Sequence, residues 1–251
     1  MGLPSKLPAV EHRNTNGLFR SIDAVVHDEV LALLSRRTEG YTSSMKKYGR
    51  TFHLPMSPGA TDDDKTMPSI KGLMVPDLLV TEKMDGENTT IHSSGTHARS
   101  PDSRHHPSRD WIKRFAASIS PYLEENERIV GENLFAKHSI PYDSLTSYFL
   151  GFSWIVDGEI QSWDLTMRRF KSLGITPVPT LYRGPFKKDL FEELAASLNK
   201  SKQEGFVVRV AGAFREAEMQ IYMGKYVRAE HVQSETHWMQ ADLIPNRLAK
   251  S

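Results

Sequence analysis

The chain has 251 residues, 39% hydrophobic and 25% charged, with a formal net charge of +1 and no cysteine. That composition suits a soluble globular protein with one large α+β domain, or a domain carrying a small appendage. It excludes disulfides, thiolate zinc centres, a cysteine nucleophile and a globally basic nucleic-acid binder, so any hold on a polyanion has to come from local patches. Residues 1–16 are polar and irregular in character, with no apolar core of signal-peptide type. Ile22 to Leu34 sets Val25, Val26, Val30, Leu31, Leu33 and Leu34 at near-helical spacing. Residues 55–70 hold Pro55, Pro58, Gly59, Asp62, Asp63, Asp64 and Pro68, which mark a loop with no core. From residue 77 onward short strands and turns dominate. Ser108 is placed to cap a helix through Trp111, Phe115 and Ile119, interrupted by Pro121. Leu165 to Leu173 suits a helix ended by Gly174, and Asp189 to Leu198 suits another. Glu204 to Val210 and Met219 to Val227 read as strands, with Gly212 near a turn between them. No run approaches the ~20 apolar residues needed to cross a bilayer, so a cytoplasmic protein is expected.

The most informative stretch is Glu82-Lys83-Met84-Asp85-Gly86-Glu87-Asn88, directly after Leu78-Leu79-Val80. It sets a lysine at the mouth of a strand, then a carboxylate and a glycine that permits a tight turn. A lysine amine is nucleophilic only when neutral. Beside phosphate-binding cations and a metal ion it can shed its proton and attack phosphorus. Alone, Lys-x-Asp-Gly reads first as a surface hairpin. The stretches that follow in order decide between the two: Ala98-Arg99-Ser100, Ile129-Val130-Gly131-Glu132, Leu150-Gly151-Phe152-Ser153-Trp154, Gln203-Glu204-Gly205-Phe206-Val207-Val208-Arg209 and Met223-Gly224-Lys225-Tyr226-Val227-Arg228. Each is a β-prone run with a charged or aromatic residue beside a glycine or at a strand end.

This ordered set resembles the nucleotidyltransferase motifs of the ATP-dependent RNA ligase family, within the wider group of polynucleotide ligases and capping enzymes. The resemblance implies an α+β nucleotidyltransferase fold, two packed antiparallel β-sheets with flanking helices around an ATP cleft. It places that domain at 51–230, with 1–50 as an N-terminal appendage and 231–251 as a C-terminal tail. Lys83 is then the residue that attacks the α-phosphorus of ATP and holds AMP, which passes to an RNA 5′-phosphate before a 3′-hydroxyl seals the strand. Glu82 and Asn88 belong to the nucleotide pocket, and Asn88 leans toward ligases that seal RNA nicks. Arg99 is placed to contact the ribose and the 5′-phosphate, Glu132 the ribose hydroxyls, and Phe152 the adenine face. Glu204 is placed to face the metal or the lysine. Lys225 is placed on the α-phosphate, where like charge lowers the pKa of Lys83. ATP and Mg2+ or Mn2+ are the implied cofactors. The implied partner is RNA, as paired ends or a nicked duplex, alongside an end-healing kinase or phosphatase.

The densest cationic run is Arg99, Arg104, His105, His106, Arg109, Lys113 and Arg114, opposed by Asp102 and Asp110. Arg104 and Arg109 are its expected RNA contacts. The pattern departs from the family at the last motif, where Val227 stands in the place of a second lysine and Arg228 follows. The residues beyond 230, including His231, Val232, His237 and Trp238, suit a terminal helix or strap. The histidines show no metal-ligand spacing. A DNA ligase, a GTP-dependent capping guanylyltransferase and a non-catalytic RNA-binding module stay open as alternatives, and the oligomeric state is not legible.

Overall fold

A computed structural model describes residues 45–102, 104–229 and 243–250. The expected helix at 22–34 and the strap at 231–238 lie outside the described residues. Apolar and β-branched runs, cut by glycine, proline and aspartate turns, make short strands. In chain order these are β1 (Phe52–His53), β2 (Leu78–Lys83), β3 (Glu87–His92) and β4 (Gly95–Ala98), then helix α1 (Asp110–Ile119). Strands β5 (Glu127–Asn133), β6 (Phe149–Val156) and β7 (Glu159–Ile160) lead to α2 (Trp163–Leu173), β8 (Thr176–Pro177) and β9 (Thr180–Gly184). After α3 (Leu190–Ser197) come β10 (Gly205–Val210) and β11 (Phe214–Arg215), then the single turn α4 (Met219–Tyr222) and β12 (Met223–Val227).

The strands form two sheets, one ordered β1-β12-β10-β2-β9 and the other β11-β7-β6-β5-β3-β4 with β8 beside β6. Pairing is antiparallel except at β1–β12 and β6–β8. The outer face of the first sheet buries Leu78, Val80, Phe206 and Val208 against Leu190 and Phe191 of α3. The outer face of the second buries Ile91, Ile129 and Phe149 against Ile112, Ala116 and Ile119 of α1 and Phe170 of α2. Between the sheets, Leu79 shares one buried cluster with Leu150 and Trp163, and Met223 shares another with Val130 and Ile155. Each fully buried side chain of this size stabilises the fold by about 1.5–3 kcal/mol. The layering is the expected one, two packed sheets with helices outside.

Helix α2 begins where Ser162 Oγ accepts from Leu165 N, and ends at Gly174, whose φ of 66° a residue with a Cβ rarely adopts. Three expectations need correction. Ser108 does not cap α1: it lies buried in a 3-10 turn, Pro107–Arg109, where its own N–H donates to the His106 ring. Met219 to Val227 is not one strand, because its first four residues coil as α4. The stretch 55–70 is a loop, yet Met67 within it is 2% exposed and belongs to the core. A loop pinned to an edge strand can carry an anchor that its polar composition hides. The segment from 243 also joins the domain, bridging Pro245 to Ala136 and Leu248 to Leu145.

Candidate active site

The strand register assembles the site. Strand β10 lies between β2 and β12 and pairs Gly205 with Lys83 and Val207 with Lys225. Side chains alternate along a strand, so Thr81, Lys83, Val207, Arg209, Met223 and Lys225 turn to one face. All of them line a cleft of about 1590 Å³. The second sheet supplies more of the lining, with Asn88 paired to Glu132 across β3 and β5, and Phe152 on β6. The expected site residues Glu82, Lys83, Asn88, Arg99, Arg104, Arg109, Glu132, Phe152, Glu204 and Lys225 all line this cleft, whereas Lys113, Arg114 and Arg228 do not.

After β2 the chain turns through Asp85 and Gly86. A Cβ on Gly86 would stand 2.6 Å from the Asn133 carbonyl oxygen, and one on Gly205 only 1.9 Å from that of Tyr226, so both close approaches require glycine. Asp85 Oδ2 accepts from Ser139 N at 2.8 Å and Ile140 N at 2.7 Å, while its own N–H donates to Tyr142 Oη at 2.9 Å. This carboxylate anchors the loop that carries Lys137 to the cleft. Asn246 braces the same loop, donating to the Leu134 carbonyl at 2.8 Å and accepting from Tyr142 N at 2.9 Å.

Lys83 Nζ donates to Glu204 Oε2 at 2.6 Å. Burial pulls the lysine pKa down, but Glu204, Glu132 and Asp85 outweigh it, and the net direction is up. Burial acts the opposite way on Glu132. Reinforced by Glu204 and Asp85 against the pull of Lys83, it raises that carboxyl to about 8, and the group accepts from Gly86 N at 3.3 Å. Lys225 Nζ lies 3.5 Å from Asp64 Oδ1, and its pKa is lowered by burial and by Lys83. Asp64 also accepts from Thr61 N and Thr61 Oγ1. His53, lowered to about 4 by burial and by Lys225, is neutral near pH 7. Its Nδ1 meets Ser57 Oγ at 2.8 Å; its Nε2 stands 3.4 Å from Asp64 without hydrogen-bond alignment.

Two expectations change here. Like charge from Lys225 does not set the direction for Lys83: the carboxylates around Lys83 prevail and its net shift is upward, while Lys225 itself is lowered. Arg109 is not an uncommitted cation, because its guanidinium forks onto Glu87, with Nε 3.0 and 2.8 Å from the two carboxylate oxygens. Arg228, the cation that follows Val227 in the last motif, directs its Nε to the Gln203 carbonyl at 3.1 Å and does not line the cleft. Sequence reasoning passed over Asp64, Tyr48, Lys137 and Arg209. Tyr48 stacks obliquely on Phe152 with ring centroids 5.6 Å apart. Arg209 is 3% exposed, with Nη1 lacking a partner among the described residues. Alternation from Gly205 through Val207 was the signal that pointed it into the cleft.

The RNA ligase family model matches residues 76–227, more than half of the chain. Among solved structures, an archaeal ATP-dependent RNA ligase superposes with a TM-score of 0.51 at 19% identity, covering 73% of this chain and 48% of its own. The RNA ligase of Naegleria gruberi with pyrophosphate gives 0.52 at 17% identity, covering 77% and 59%. A point mutant of the Naegleria enzyme with ATP and Mn gives 0.51 at 17%, covering 74% and 57%. At such identity the likeness is one of fold, and the chain spans about half the length of these proteins. No protein with a curated description matches the chain. With the motifs in order, their residues gathered in one cleft and the family model spanning them all, this chain belongs to the RNA ligase family.

Proposed function

We propose that the chain is an ATP-dependent RNA ligase working through a lysyl-adenylate on Lys83. The observation that carries this reading is Lys83 in contact with Glu204, on a sheet face that also presents Lys225, opposite Glu132 and Phe152. Lys83 Nζ forms a bond to the α-phosphorus of ATP as the α–β bridging P–O bond breaks and pyrophosphate leaves. The lysine must first lose its proton, and the carboxylates that raise its pKa are what must be offset. Among the described residues no cluster of three or more His, Cys, Asp or Glu side chains forms a metal cage. A Mg2+ or Mn2+ ion on Glu204, with waters and phosphate oxygens as its other ligands, would supply the compensating positive charge. ATP and Mn are the ligands named for the Naegleria mutant.

Glu132, whose carboxyl burial holds well above the usual carboxylate range, offers its oxygens to ribose hydroxyls. Asn88 Oδ1 and Arg99 Nε are buried polar atoms without protein partners among the described residues, which supports them as ligand contacts. Phe152 offers a ring face to the base. Arg209, two residues beyond Val207 and away from Lys83, offers Nη1 to an acceptor on the purine. AMP then passes from Lys83 to an RNA 5′-phosphate, and a 3′-hydroxyl attacks that phosphorus and releases AMP. Ends lacking either group would need a kinase or phosphatase reaction first, as in RNA repair. A cysteine-free chain suits the cytoplasm. Incubation with α-labelled ATP or GTP and a divalent cation, followed by denaturing electrophoresis, tests the reading. Labelling by ATP that Lys83→Ala abolishes is expected; labelling by GTP alone, or none, overturns it. All-DNA against RNA-containing nicks then separates the substrate classes.

A further inference from the structure

We infer that Arg109 is a positioning residue, the keystone that holds the loop bearing Arg99 and Arg104 over the cleft, and not itself a phosphate ligand. The inference rests on the ligase reading for its consequence, but its geometry stands apart from that reading. Arg109 sits just before α1 and reaches back to Glu87, the first residue of β3. Its Nε and Nη2 fork onto both oxygens of that carboxylate, while Nη1 donates to the Arg104 carbonyl at 2.5 Å. Both side chains are about one-tenth exposed. One guanidinium thus ties a β-strand of the cleft to the backbone of the loop. Two contacts support the same connection: Asn133, which pairs with Glu87 across β5, donates to the Ser108 carbonyl at 3.3 Å, and His105 Nε2 stands 2.9 Å from Asp110.

A cation whose donors are spent on a carboxylate fork and a carbonyl has little left for RNA phosphate. Arg99 and Arg104, by contrast, form no ion pair with any described residue, and both line the cleft. The fork therefore presents those cations without joining them.

The two roles predict opposite signs for one substitution. If Arg109 were a phosphate ligand restrained by Glu87, Glu87→Gln would release it and tighten RNA binding. If it is the keystone, Glu87→Gln and Arg109→Gln both weaken RNA binding, and the double variant is no worse than either single. Arg109→Lys is a second discriminator, since lysine keeps the charge but cannot make the fork. Tryptic cleavage of the Arg104–His105 bond reads the loop directly, with no nucleotide or RNA present. We expect roughly tenfold faster cleavage in Glu87→Gln, Arg109→Gln and Arg109→Lys, the order expected when charge-assisted hydrogen bonds are lost. Cleavage at sites outside the loop should not change, which separates loop release from general unfolding. Unchanged cleavage at Arg104, or tighter RNA binding by Glu87→Gln, overturns the inference. A failure of self-adenylation in the parent chain would instead count against the ligase reading and leave the loop measurement standing.

Discussion

Asp85→Ala removes the carboxylate oxygen that accepts from both Ser139 N and Ile140 N. Hydrogen bonds to a charged acceptor are worth about 1.5–3 kcal/mol each. Ser139 is exposed, so water can take over its N–H. Ile140 is 2% exposed, and its N–H would be left buried and unmet. Counting the buried donor in full and the exposed one in part gives a loss of about 2–4 kcal/mol. That is a large share of the roughly 5–15 kcal/mol that holds a typical domain. Asp85→Asn keeps an oxygen in the same place and should lose only about 1 kcal/mol as the bonds become neutral. Urea midpoints at constant slope measure both variants. Asp85→Asn should also retain most labelling by ATP, because its part is to hold the loop behind the site. Equal destabilisation by the two variants would refute the hydrogen-bond argument. An Asp85→Asn protein of parental stability that forms no adduct would show that the carboxylate acts on the reactants.

Two further expectations concern charge. Glu132, raised to about 8 by burial, binds a proton in the fold that the unfolded chain has lost above about 4.3. Stability should therefore fall as pH rises from about 4.3 to about 8, and Glu132→Gln should flatten that fall; parallel urea curves for parent and variant would contradict it. Arg104→Ala with Lys137→Ala should lower the salt slope of single-stranded RNA binding by about 1.4, since each phosphate contact contributes about 0.7, while Lys83 still accepts AMP. An unchanged slope would move the RNA path elsewhere.

The layered fold and the cleft were legible because both follow from local pattern. Alternation fixes which strand residues share a face, and glycines that admit no Cβ mark the close approaches. Lys83, Glu204 and Lys225, far apart in sequence, were joined as one site only by the family resemblance; the register of β2, β10 and β12 then shows why they meet. What the sequence concealed was which charges meet. Arg109 looked like one cation of a basic run because its partner, Glu87, lies on a strand 22 positions earlier. Asp64 looked like a loop aspartate, although the parallel pairing of β1 with β12 sets its loop beside Lys225. Ser108 had the composition of a cap, but the backbone entered the helix through a 3-10 turn one step early. Register within a sheet is periodic and can be read; contacts made by a loop folding onto a sheet edge leave no period.

Those contacts also bear on how a chain of net charge +1 would hold two polyanions on the proposed reading. Lys83, Lys225 and Arg109 are partly or largely buried, and each has a carboxylate beside it: Glu204, Asp64 and Glu87. A buried cation without such a partner would carry a large desolvation penalty, so the pairs let charge be stored in the cleft before any ligand arrives. On that reading a triphosphate has to compete with Glu204 and Asp64 for Lys83 and Lys225, while the Glu87–Arg109 pair stays closed, and a metal ion accompanying it would ease the exchange at Glu204. Arg99, Arg104 and Lys137 have no acidic partner among the described residues, so an RNA backbone meets them without competition. Charges near the surface, of which Arg104 is the exposed one, are screened by salt, and buried pairs much less. The division therefore assigns salt sensitivity to the RNA-binding steps and spares the adenylation of Lys83, with Arg109 as the structural link between the two regions.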